Sequence, residues 1–118
     1  MKTIDDLKRE TELPVLLTDE QGLIIYVNDC FREIFGWKGD EIIGQTLEAV
    51  IPSSYHDSHH LGFSRFIMTG MPTILNHPLQ LKAVTKDGKE IYSEHFIIAE
   101  EYEGHWVLGA TLRPINEP

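Results

Sequence analysis

Two apolar runs near the C-terminal end constrain the fold more than anything else in this chain. Residues 79–85 (LQLKAVT) begin with strict alternation of apolar and polar side chains, and Glu90 to Ala99 is a second β-prone run. Lys86-Asp87-Gly88-Lys89 stands between them. Asp-Gly is a pair that marks a tight hairpin turn. A third run, His105 to Arg113 (HWVLGATLR), comes after a turn at Glu103-Gly104. This half of the chain is predicted to be an antiparallel three-stranded unit.

The N-terminal half adds two more strands. Leu13 to Thr18 (LPVLLT) and Leu23 to Val27 (LIIYV) flank the turn Asp19-Glu20-Gln21-Gly22, and Asn28 stops the second run and can cap a helix starting at Asp29. Before them, residues 1–12 read as a short helix, with Thr3 at its start, Asp5 and Asp6 in its first turn, and a thin Ile4/Leu7 stripe. That stripe can pack on its own domain or meet its copy on a second chain. Between the two β regions the pattern turns helical. Phe31, Ile34 and Phe35 precede Gly36, Asp40 to Ile43 precedes Gly44, and Thr46 to Ile51 precedes Pro52. Such pieces are too short to stand alone and must pack on a sheet. Ser53 to Gly70 is the longest helical candidate, with Tyr55, His59, Phe63 and Phe66 along one stripe. The predicted class is α+β: a five-stranded antiparallel sheet with short helices over one face.

Composition narrows the function. With 118 residues the chain suits one domain, read as a flanking helix over 1–12 and a domain over 13–115. Nineteen acidic against ten basic side chains give a net charge of −9, the wrong sign for a nucleic-acid surface. A single cysteine, Cys30, excludes an internal disulfide framework and a paired-cysteine metal site. No apolar run approaches the roughly 20 residues of a membrane span. The charged N-terminus does not read as a signal peptide, so a cytoplasmic location is expected. There is no Ser-His-Asp order, glycine-rich phosphate loop or paired-carboxylate motif, and no enzyme is expected.

Taken in order, Leu17-Thr18-Asp19, Gly22, Ile25-Tyr26-Val27-Asn28, Phe31, Phe35-Gly36-Trp37, Glu41-Ile42-Ile43-Gly44 and Asp87-Gly88 resemble a PAS domain along nearly the whole chain. The resemblance implies a sensory or interaction module that holds a small molecule between its helices and the inner sheet face, or holds nothing. It also implies a homodimer through the N-terminal helix and the sheet, with signal passed to a downstream effector. The Asp-Ile-Thr exit usual in that family is replaced by Thr111-Leu112-Arg113-Pro114-Ile115. A free-standing protein and a domain separated from its effector both fit that ending.

The resemblance also bears on the ligand. The reactive cysteine of light-oxygen-voltage photoreceptors belongs in an Asn-Cys-Arg-Phe-Leu-like stretch. Cys30 stands far too early for that chemistry and reads as a small hydrophobe. Residues 52–66 are similar to the helix that carries the proximal ligand in heme-binding PAS oxygen sensors. His59 falls on the ligand position and Arg65 on that of an arginine pairing with a propionate. A neutral imidazole among Tyr55, Phe63 and Phe66 is also what a b-type heme iron needs. Leu79, Leu81, Ile97 and Leu108 from strands could line the slot. Those sensors place an arginine where Leu79 stands, and Leu79 cannot donate to bound oxygen. His77 matches a sixth-ligand methionine of one subgroup, and reads either as the sixth ligand of a bis-histidine heme responding to redox state or a diatomic gas, or as an exposed loop residue beside Pro78. The alternatives are a ligand-free dimerisation module with His59 as core filler, or a domain binding flavin or a small metabolite. His56 and His60 form an i, i+4 pair without an evident third metal ligand, and His95 and His105 read as sheet-face residues.

Overall fold

A threonine hydroxyl starts the first element. The computed structural model describes residues 3–52 and 78–116. In helix α1 (Ile4–Arg9), the Thr3 side chain accepts from Asp6 N and the Asp6 carboxylate accepts from Thr3 N, a reciprocal cap. Six residues cannot hold a helix alone. Buried Ile4 and Leu7 hold it against the sheet, and Ile4 N donates to the carboxylate of Glu100.

Strands β1 (Val15–Asp19) and β2 (Ile24–Val27) form the expected hairpin, and Asn28 joins three pieces of chain. Its Oδ1 accepts from Phe31 N at 2.9 Å, capping helix α2 (Asp29–Phe35), and from Val15 N at 3.0 Å. Its Nδ2 donates to the carbonyls of Glu10 and Leu13. Gly36 ends α2 with φ of 81°, a conformation that costs a glycine little. The helical turn predicted over Asp40 to Ile43 is instead a run of turns. Ile43 N reaches back only three residues, to Asp40 O, while Gly44 N and Ile24 O, and Ile24 N and Gln45 O, pair across to β2. The β2 edge takes the backbone groups a helix would have used. The piece predicted over Thr46 to Ile51 reduces to one 3₁₀ turn, Leu47–Ala49.

Strands β3 (Pro78–Val84), β4 (Glu90–Tyr102) and β5 (His105–Pro114) complete an antiparallel sheet of order β2-β1-β5-β4-β3. β4 runs past Ala99, because Glu100, Glu101 and Tyr102 pair with Val107, Trp106 and His105. The two faces carry separate cores. Leu16, Ile24, Val27, Phe31, Phe35, Ile42, Val50, Ala83 and Leu112 pack on the inner face, where the Phe31 and Phe35 rings stack at 4.6 Å. Ile4, Leu7, Val15, Leu17 and Ile98 pack on the outer face. The predicted α+β sheet is therefore present, with α2 on one side and α1 on the other.

Candidate functional site

Strand register sorts the inner-facing residues without ambiguity. Leu79 pairs with His95, which pairs with Leu112; Leu81 pairs with Ser93; Ile97 pairs with Ala110; Ala99 pairs with Leu108, which pairs with Thr18. Side chains alternate across a strand, so these positions share the face of Leu16, Ala83 and Leu112. Leu79, Leu81, Ile97 and Leu108, the strand residues expected to line a slot, thus stand on one face, and all four are half-buried. Ala83, Ser93 and Leu112 beside them are buried.

This face carries no formal charge over its central rows. From Ile91 to Ala99 on β4, and from Leu108 to Leu112 on β5, the inner positions hold only apolar residues, Ser93 and His95. Burial pushes the His95 imidazole down to about 4 from 6.5, so the ring is neutral at pH 7. Ser93 Oγ lies 2.7 Å from His95 Nε2 and 3.3 Å from Leu81 O. When the hydroxyl donates to that carbonyl, the ring donates from Nε2 and offers Nδ1 as a bare acceptor. At the other end of the face, Thr18 is 1% exposed and its Oγ1 has no hydrogen-bond partner. A buried hydroxyl left without a partner costs on the order of 1–3 kcal/mol.

Residue patterning marks His95 only as a sheet-face residue and assigns no site role to Thr18 or Ser93. Along Ile91 to Ile98 both alternating phases mix polar and apolar residues, so periodicity alone could not say which phase faces inward. Only pairing of β4 with β5 decides it.

Among the other predicted site residues, Tyr55, His59, Phe63, Arg65, Phe66 and His77, with the His56/His60 pair and the 53–70 helix, lie outside the described residues. Cys30 is half-buried, and its thiol is pushed up by burial first and then by Glu33 and Glu10. Its Sγ donates to Glu12 O at 3.6 Å. A raised thiol is a poor nucleophile. Cys30 borders a cleft of about 350 Å³ between the ends of α1 and α2, with Lys8, Tyr26 and Arg32 also on its walls. Arg32 already contacts Asp29, Asp40 and Gly39 O. His105, exposed at the start of β5, donates from Nδ1 to Glu20 at 2.8 Å, and that bond raises its pKa. Among the described residues no three His, Cys, Asp or Glu side chains converge as a metal site, and no helix is long and apolar enough to cross a membrane.

Comparison with known proteins matches this architecture. The chain is 30% identical over 104 residues to a protein of Azorhizobium caulinodans, covering 87% of this chain and 14% of that protein. It thus spans about a seventh of the relative's length. Among solved structures it is similar to a PAS domain of Desulfitobacterium hafniense, with a TM-score of 0.73 at 14% identity over 92% of this chain and 97% of that one. It is also similar to the PAS domain of the Cronobacter turicensis RpfR quorum-sensing receptor in complex with C12:0, with a TM-score of 0.69, 17% identity, and coverage of 91% and 97%. A light-oxygen-voltage domain studied with a flavin analogue gives 0.72 at 14% identity, covering 97% and 84%. The family model of the PAS domain matches residues 12–116. A five-stranded antiparallel sheet in this order, with a model match over nearly its whole length, places the chain in the PAS domain family.

Proposed function

We propose that this PAS sensory domain holds a small, largely apolar ligand against the inner face of its sheet. The observation that carries the reading is the chemistry of that face: half-buried Leu79, Leu81, Ile97 and Leu108 around an uncharged Ser93–His95 pair. An apolar slot with a few placed polar groups is the usual form of a small-molecule site. β5 carries Leu108 and Ala110 inward and Gly109 outward beneath α1, so a ligand pressing on the inner side acts one residue from the outer helix.

The iron-binding form of this reading is b-type heme with His59 as proximal ligand, Arg65 on a propionate and His77 as sixth ligand. The apolar sheet face suits the body of a porphyrin, which supplies a redox-active iron able to take a diatomic gas. A visible spectrum with and without added hemin, repeated on His59→Ala, tests it. A Soret band that forms on the wild type and is lost or shifted in the variant is expected. A titration that leaves hemin free, or bands identical in both proteins, removes heme from the reading.

A second form is favoured by the uncharged polar groups of the inner face, which suit an organic molecule bound without a metal. The structural neighbours in complex with C12:0 and studied with a flavin analogue lend this form support by fold alone. We also propose a homodimer through the N-terminal helix and the sheet.

A further inference from the structure

Thr18 and the Ser93–His95 pair stand far apart on one continuous apolar surface. Thr18 shares a row with Leu108 and Ala99; His95 shares a row with Leu112, four residues further along β5. β1 and β4 are the two neighbours of β5. Four residues of rise and two strand spacings separate the groups by roughly 16 Å along a diagonal. Ile97, Leu108 and Ala110 fill the ground between. The Thr18 hydroxyl is buried with no partner, and at the other pole the neutral His95 ring uses Nε2 on Ser93, which leaves Nδ1 as its second hydrogen-bonding atom. A folded chain rarely leaves a buried hydroxyl unsatisfied unless something else completes it.

We infer that the inner face recognises an elongated, uncharged molecule by hydrogen bonds at both its ends, Thr18 holding one end and the Ser93–His95 pair the other. The inference rests on the ligand-binding reading above and takes its organic form. Charge is selected against, because a carboxylate or ammonium here would lose its water with no described inner-face group of opposite charge to meet it. Length is selected because a shorter molecule reaches one pole only and forgoes the hydrogen bond at the other. Discrimination of this kind is steep, since a missing partner leaves the site's own polar groups buried and unsatisfied.

The test compares two probes by calorimetric titration: dodecanediol with a hydroxyl at each end, and dodecanol with one. The diol is expected to bind about fivefold more tightly, the worth of one further net hydrogen bond. Thr18→Val keeps the shape of the side chain and removes an unsatisfied hydroxyl, so it should fold at least as stably as the wild type. In Thr18→Val, and separately in His95→Phe, the two probes should bind alike, and Thr18→Ser should restore the preference. Equal binding of the probes to wild type, or a preference that survives both substitutions, overturns the two-ended recognition and leaves the ligand-binding reading standing. Binding of neither probe overturns the inference. If hemin also fails to bind, the ligand-binding reading falls with it.

Discussion

His95 is a base placed where its protonated form is disfavoured. Burial holds it at about 4 in the folded chain against 6.5 for an unperturbed imidazole. Between those two values the unfolded chain binds more protons than the folded one, so unfolding free energy rises with pH there. The stability is fully present above the unfolded value and is lost as pH falls toward the folded one. A shift of this size corresponds to about 3 kcal/mol at most. His105 has the opposite sign. Its pKa is raised by Glu20, so its contribution is present at low pH and lost as pH rises through the raised value, and as a surface pair it is weakened by solvent and salt. The Asp6, Glu20 and Glu41 carboxylates are lowered and lose their contributions below the carboxylate range. The urea midpoint of the wild type is therefore expected to fall between pH 7 and pH 5, and that of His95→Phe to fall distinctly less. Equal slopes would show that the ring titrates as it does in water. None of this is legible in the residue order, because a histidine in a strand becomes acidic only through the groups that cover it.

At the scale of elements, α1 and β5 are fitted to one another. A methyl group on Gly109 would stand 2.6 Å from Leu17 Cδ2, 2.6 Å from Leu7 Cδ1 and 3.1 Å from Ile4 Cδ1. Two of those atoms belong to α1, so the glycine is the seat on which the helix rests. Gly109→Ala should destabilise by roughly 1–3 kcal/mol through overpacking. In a Leu7→Ala background the penalty should shrink in part, because one of the two atoms at 2.6 Å is gone while Leu17 Cδ2 stays, and denaturation of the four proteins of that cycle measures the coupling. Additive penalties would mean that α1 does not sit on β5. The α1 start at Thr3 and its Ile4/Leu7 stripe were readable from residue spacing, whereas the surface that receives the stripe was not. Since that stripe is used on the chain's own sheet, a dimer using α1 must meet the partner with the opposite side, where Asp5, Lys8 and Arg9 are placed, or exchange helices between chains.

At the scale of the whole molecule, β5 joins everything. It is the last strand in sequence and the central one in space, pairing with β1 on one side and β4 on the other. A chain ending at residue 104 keeps two hairpins with nothing between them, and an isolated hairpin is marginal in water. That truncation is expected to show no cooperative thermal transition by circular dichroism; a sharp one would show that the hairpins fold without their central strand. Turn residues and alternation were enough to read five strands, their approximate bounds and the Asn28 and Gly36 punctuation of α2, since those features depend on neighbours within a few residues. Strand order, the inward phase of β4 and the convergence of Thr18, Ser93 and His95 on one face depend on pairings between residues dozens of positions apart. Local propensity carries no information about such pairings. They are settled by which apolar faces can be buried together, and the tertiary structure alone decides that.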